Sequence, residues 1–167
     1  MRTWKIFLLA GLFAAGCGGG GKEESGALKA PEFSLSTVSG DKTIGLADYK
    51  GKVLIVDFWA TWCPPCKREI PHFNELYAEY KSKGLEILGV SVDQGGVSAV
   101  EQYMASSAPS LKPAYPVVMA DAKVQAAYGP IGSIPTTFVI DRKGNVQQRV
   151  VGYQDKEFFE LILKELL

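Results

Sequence analysis

The chain has 167 residues, with 18 basic and 18 acidic side chains, one histidine and three cysteines. Once an N-terminal leader is set aside, this length suits one domain rather than two. The balanced charge and the absence of a basic stripe along the sequence give no indication of a nucleic-acid partner.

The N-terminus predicts an exported protein. Arg2 and Lys5 precede an apolar run over residues 6–15, and about ten residues are too few to span a bilayer, which needs roughly 20. Small residues follow, so residues 1–16 read as a signal peptide. The junction Ala14-Ala15-Gly16-Cys17 resembles a bacterial lipobox, which implies that Cys17 becomes a lipid-modified N-terminus. An ordinary secretory signal with an incidental cysteine and an uncleaved anchor are the alternatives.

Residues 17–30 predict a flexible tether that starts at lipidated Cys17. They are rich in Gly, Lys and Glu and offer almost nothing to bury, which is typical of a linker. Residues 31–167 remain as one domain. We therefore expect an extracytoplasmic protein, in the periplasm or on the outer face of the cytoplasmic membrane, held there by its lipid.

The body of the chain predicts an α/β domain. A hairpin is expected near the start, from residues 33–38 and 43–44. A buried strand over residues 53–59, a helix over 64–81 that Pro71 should kink, and a strand over 85–92 form a βαβ unit with parallel strands. The remaining expected elements are helices over 97–107 and 122–128, strands over 115–120, 136–140 and 146–151, and a final helix capped by Asp155.

Two cysteines, Cys63 and Cys66, follow the buried strand and open the helix. A helix N-terminus carries unpaired N–H groups and a partial positive charge, which favour a thiolate. Disulfide exchange needs one attacking thiolate and a second thiol that resolves the mixed disulfide. The spacing predicts Cys63 as an exposed nucleophile and Cys66 as a buried resolver.

Three other functions for this pair can be weighed. A zinc site needs about four ligands. A single chain does not supply them, because it offers one C-x-x-C pair, His72 and the lipobox cysteine. His72 itself is expected to be exposed and without a role. An inert binding domain with a structural disulfide is the second alternative. A thiol peroxidase is the third, although Thr61 stands two residues before Cys63 where related redoxins place a threonine three before. No metal or other cofactor is expected.

The sequence around the cysteines resembles the TlpA/ResA-like branch of thioredoxin-fold proteins. The matching residues are Asp57-Phe58-Trp59-Ala60-Thr61-Trp62-Cys63-Pro64-Pro65-Cys66, Pro71, Ile134-Pro135-Thr136-Thr137-Phe138, Leu46 to Val53 and Phe138 to Gly144. The resemblance implies a thioredoxin fold: a central mixed sheet flanked by helices, here with the N-terminal hairpin as an extension.

The resemblance also implies which residues meet the substrate. Pro135 is expected to be cis and to face the thiols, and the backbone of Ile134 to pair with the bound segment. Trp62 is expected to cover one side of the site, with Pro64 and Pro65 beside it.

Two carboxyls are candidates for taking the proton of Cys66. Asp57 matches the buried aspartate of cytoplasmic thioredoxins, and Glu69 matches a glutamate of ResA-like proteins that shares a helix face with Cys66 at i and i+3. Which of the two accepts the proton stays open. At Gly89 the chain departs from cytoplasmic thioredoxins, where a lysine opposes the aspartate.

The family role implied is reduction of disulfides in exported proteins, including apocytochrome c during cytochrome c maturation. Since Pro64 and Pro65 carry no N–H, a Cys63 thiolate gains little stabilisation from the first helical turn, which favours a reducing potential. Such a protein would need a membrane electron donor for its re-reduction. A monomer is expected.

Overall fold

The computed structural model describes residues 28–167, and within them a five-stranded mixed sheet has helices on both faces. A separate two-stranded antiparallel sheet precedes it, so the expected hairpin is confirmed. The strands are β1 (Ser34–Ser36), β2 (Thr43–Gly45), β3 (Val53–Trp59), β4 (Leu85–Ser91), β5 (Val117–Met119), β6 (Thr136–Ile140) and β7 (Val146–Val151). The helices are α1 (Pro64–Tyr80), α2 (Gly96–Ser106), α3 (Ala122–Ala127) and α4 (Lys156–Leu166), with short 3₁₀ turns between elements.

Strand β3 is the centre of the sheet, whose order is β5-β4-β3-β6-β7. It runs parallel to β4 and antiparallel to β6. All its residues are buried, because helices cover both faces of the sheet. A strand buried on both faces needs a continuous apolar run instead of an alternating one, which is why residues 53–59 are recognisable in the sequence.

Alternate side chains of β3 enter two separate cores. Val53 and Ile55 pack with α1 and α4, where Phe73 and Phe159 are wholly buried. The opposite face of β3 packs against the hairpin and α3 through Leu54, Val56, Phe58, Leu35, Ile44 and Val124. Helix α1 continues through Pro71 to Tyr80. It therefore lies along the sheet with its first turn at the end of β3.

The described chain enters the domain at the end of the sheet opposite to the cysteines. The Ala30 N–H donates to the carbonyl of Gly144 at 2.9 Å, and the Val146 N–H donates to that of Leu28 at 2.8 Å. These bonds attach the segment to the β6–β7 turn, which lies beside the start of β3 because β6 is antiparallel to it. The domain therefore begins before residue 31. The predicted signal peptide, Cys17 and most of the predicted tether lie outside the described residues.

All three apolar clusters of the described chain are formed within residues 28–167. The closing helix α4 contributes Phe159 and Leu163 to the core under α1. Among the described helices, none combines the length and the apolar character needed to cross a bilayer.

Candidate active site

The junction between β3 and α1 holds the two cysteines. Cys63 is the N-cap of α1, and Cys63 and Cys66 form a disulfide with their Cα atoms 5.3 Å apart. The Cys63 N–H donates to the carbonyl of Ala60 at 3.1 Å, which turns the chain sharply out of the strand. The sequence therefore delivers both sulfur atoms to the first turn of the helix.

The expectation that Cys63 is exposed is wrong for this disulfide state. Only 2% of Cys63 is exposed, and Cys66 is wholly buried as expected. The N-cap geometry turns the Cys63 side chain back over the helix, where its sulfur accepts the N–H of Cys66. Ile134 covers it from the other side, with its carbonyl 3.7 Å from the Cys63 Sγ.

The first turn of α1 offers the Cys63 sulfur a single backbone donor. An N-cap side chain can accept N–H groups from the second and third helical positions, and Pro65, in the second, has none. The Cys66 N–H remains, with its nitrogen 3.2 Å from the Cys63 Sγ. The two prolines thus leave a sulfur at a helix N-terminus with little of the hydrogen bonding that this position usually gives.

The loop before β6 lies against the disulfide. The Ile134–Pro135 peptide bond is cis, and Pro135 is buried while Ile134 is half-buried. On the open side, Trp62 is 61% exposed and Pro64 is also exposed. Of the predicted substrate-contacting residues, Ile134 thus contacts the disulfide, and Trp62 and Pro64 offer apolar surface to solvent.

Asp57 is a buried carboxyl beneath the site, 1% exposed. The Thr137 hydroxyl donates to its Oδ1 at 3.3 Å, and its Oδ2 has no partner among the described residues. Burial raises the pKa of Asp57 well above its ordinary range, because the charged form loses hydration. Its neighbour on β4 is Gly89, whose missing side chain leaves room for the Trp59 and Tyr115 rings.

Glu69 is wholly buried on α1. The Gln154 N–H donates to its Oε1 at 2.9 Å, and Oε2 has no partner in the described chain. Burial raises the pKa of Glu69, and the negative charge of Asp57 raises it further. The two predicted acids thus form an interacting pair of carboxyls, and the raised pKa of each makes its carboxylate a ready proton acceptor.

Asp93 belongs to the site although the sequence analysis did not select it. Its carboxylate accepts the Thr61 hydroxyl at 2.7 Å, the Thr61 N–H at 3.0 Å and the Ser91 hydroxyl at 2.8 Å. These bonds fix the loop that carries Trp62 and Cys63. The available signal was weak: an aspartate directly after the apolar strand β4, where polar groups at the carboxyl end of a parallel strand meet the site.

His72 was expected to be exposed, and this prediction is wrong. It is half-buried, and its Nε2 lies 3.0 Å from the hydroxyl of Tyr153. The Arg68 guanidinium lies over the same tyrosine ring, 5.2 Å from its centroid. The loop after β7 is therefore packed on α1 beside Glu69, a contact that no local sequence pattern announces.

Comparisons with known proteins agree with this geometry. Residues 27–149 match the model of the AhpC/TSA family. Thiol-disulfide oxidoreductase ResA of Bacillus thuringiensis (strain Al Hakam) is 39% identical over 142 residues, which are 83% of this chain and 76% of that protein.

Two solved structures resemble the described domain. A thiol:disulfide interchange protein of the thioredoxin family from Chlorobium tepidum TLS superimposes with a TM-score of 0.74 at 39% identity, over 84% of this chain and 96% of that one. The exposed lipoprotein thioredoxin Etrx1 of Streptococcus pneumoniae gives 0.70 at 28% identity, over 81% and 100%.

Proposed function

The chain belongs to the AhpC/TSA family and is a thiol-disulfide oxidoreductase of the ResA type with a thioredoxin-like fold, and on this basis we propose that it is a membrane-tethered reductant of disulfides in exported proteins. The reducing direction is supported by one observation above all. The Cys63 sulfur receives only the Cys66 N–H, because Pro64 and Pro65 have no N–H to donate. A poorly stabilised thiolate makes the dithiol the stronger reductant.

The reaction transfers two electrons from the cysteine pair to the substrate. The Cys63 thiolate attacks one sulfur of the substrate disulfide, and the other sulfur leaves as a thiolate that takes a proton from water. Cys66 then attacks the Cys63 sulfur, its proton passes to a carboxylate of the Asp57 and Glu69 pair, and the substrate leaves as a second thiolate. The raised pKa of Glu69 suits it to this acceptor role, since proton transfer is efficient between groups of similar pKa.

Substrate binding is assigned to the surface around the disulfide. Ile134 is half-buried, and its carbonyl oxygen lies 3.7 Å from the Cys63 Sγ. Its backbone is proposed to pair with the segment that carries the substrate disulfide. Trp62 and the two prolines supply apolar contact beside it. Exported proteins with cysteine pairs, apocytochrome c among them, are the proposed substrates, and a membrane electron donor returns the enzyme to the dithiol.

Tethering is proposed through lipidated Cys17. The solved relative from Streptococcus pneumoniae is described as an exposed lipoprotein, and the lipobox-like stretch ending at Cys17 in this chain supports the same arrangement. An extracytoplasmic location on the membrane surface follows from it.

Equilibration against glutathione tests the direction of the reaction. We expect a potential of roughly −200 to −280 mV, and a value above about −150 mV would make the protein an oxidant and overturn the reductase proposal. Insulin reduction by the dithiol form is the companion assay, and failure there would leave an inert structural disulfide. Peroxide consumption is expected to be negligible, since the Thr61 hydroxyl is bound to Asp93.

Trapping identifies the substrates. The variant Cys66→Ala cannot resolve its mixed disulfide and should accumulate partners on Cys63, whereas Cys63→Ala should trap none. Captured exported proteins with cysteine pairs support the proposal, and equal capture by both variants contradicts the assigned order of attack.

A further inference from the structure

The link between β7 and α4, residues 152–154, crosses the buried carboxyl of Glu69. Its first residue, Gly152, has a φ of 91°, which favours glycine, and donates its N–H to the Pro135 carbonyl at 2.8 Å. Its last residue, Gln154, donates its N–H to the Glu69 Oε1 at 2.9 Å. The segment therefore joins the proline loop beside the disulfide to the carboxyl on α1.

The side chain of Tyr153 fastens this segment to α1. Its hydroxyl lies 3.0 Å from the His72 Nε2, and the Arg68 guanidinium lies 5.2 Å from its ring centroid. Arg68 and His72 are separated by one helical turn and flank Glu69 on α1. Tyr153 is 38% exposed while Glu69 is wholly buried, and the residue after Tyr153 supplies the N–H that binds the carboxyl.

We propose that Tyr153 is a positioning residue that clamps residues 152–154 onto α1 and thereby keeps water away from Glu69. This inference rests on the proposed function, and it adds what controls the proton that Cys66 gives up. A covered carboxyl is kept from exchanging its proton with solvent, whereas an uncovered one exchanges it freely.

The charges around Glu69 make this control separable from electrostatics. Asp57 on β3 and Tyr115 before β5 interact electrostatically with Glu69. Arg68 and His72 flank it along α1, and both contact Tyr153. Removing the Tyr153 side chain changes the access of water to Glu69 and leaves the side chains of Asp57, Arg68 and His72 in place.

The test uses the disulfide form of the protein without substrate. In Tyr153→Ala, carboxyl-carbon NMR should show the Glu69 pKa lowered by about one unit or more, since hydration favours the charged form. Amide exchange of Gln154 should be about tenfold faster, because its hydrogen bond opens to water. In Tyr153→Phe, which keeps the ring over Arg68 and loses the bond to His72, both changes should be smaller. Val151→Ala, at an exposed neighbour, is the matched control and should change neither.

Unchanged Glu69 pKa and unchanged Gln154 exchange in a folded Tyr153→Ala overturn the proposal. If that variant does not fold, Tyr153→Phe and Tyr153→Leu decide in its place. The first removes the bond to His72 and the second also removes the ring beside Arg68, and wild-type values in both variants overturn the proposal. These readouts need no turnover. If the wild-type protein lacked reductase activity and Tyr153→Ala still lowered the Glu69 pKa, the proposed function would be wrong and the proposal for Tyr153 would hold.

Discussion

At the scale of single residues, the buried Glu69 makes stability depend on pH. Its pKa is raised by burial and by Asp57, so the folded state holds a proton that the unfolded state releases above its ordinary pKa. The free energy of unfolding is therefore highest below that ordinary value and falls as pH rises towards the raised one.

Glu69→Gln should reduce the loss of unfolding free energy with rising pH, because glutamine has no proton to lose. From pH 5 to pH 8, the stability of the variant relative to the wild type should rise by about 1–3 kcal/mol, since each unit of pKa shift corresponds to about 1.4 kcal/mol. Urea unfolding of the two disulfide forms at both pH values measures it. Glu157→Gln, an exposed carboxyl on α4, is the control, and an identical pH dependence in wild type and Glu69→Gln would contradict the prediction.

Asp93 is expected to hold the loop in front of Cys63. Asp93→Ala leaves the Thr61 N–H, the Thr61 hydroxyl and the Ser91 hydroxyl without their acceptor, which should cost about 2–3 kcal/mol of stability. Insulin reduction should slow because Cys63 is less well placed. Asp93→Asn keeps one acceptor oxygen and should lie between the two. If Asp93→Ala unfolds at the wild-type urea concentration, the network does not stabilise the loop.

At the scale of elements, the first turn of α1 sets the properties of Cys63. Pro65→Ala restores an N–H at the second helical position, which an N-cap side chain can accept. The Cys63 pKa should fall by about one unit and the potential should rise by about 30 mV, because the thiolate gains a hydrogen bond. The pH dependence of alkylation and glutathione equilibration measure both.

Pro64→Ala is the matched control for that experiment. It adds an N–H at the first helical position, whereas the N–H groups that reach an N-cap side chain belong to the second and third positions. A smaller effect is expected. Equal shifts from both variants would show that proline removal acts through the flexibility of the turn and not through the donor at the second position.

Elements with a local signal were predictable from the sequence. Strand β3 is buried on both faces and therefore shows a continuous apolar run. Helix α1 is buried on one face and therefore shows apolar residues at helical spacing. Asp93 and Tyr153 were missed because their partners, Thr61 and His72, are distant along the chain. The exposure of Cys63 was wrongly predicted for a related reason: its helix position is local, but Ile134, which covers it, comes from the distant loop before β6.

At the scale of the whole molecule, the predicted tether limits where the domain can act. The described chain is already attached to the sheet at Leu28, so residues 18–27, ten in all, separate Cys17 from the domain. A flexible chain of that length spans roughly 17–20 Å on average and about 40 Å at most. Partners should lie on the membrane or close above it.

Cys17→Ser tests the lipid anchor. The variant should appear in the soluble fraction and should reduce insulin at the wild-type rate, because the disulfide and its surroundings lie in the domain core. Fractionation of cells that express either form gives the answer. A variant that stays with the membrane would favour an uncleaved N-terminal anchor over lipidation.

The entry of the chain at Leu28 and the disulfide at Cys63 lie at opposite ends of β3, about 20 Å apart along the strand. In a copy tethered as proposed, the segment that leads to the membrane and the surface around the disulfide are therefore separated by the length of the sheet. A partner can then reach the disulfide without displacing the tether.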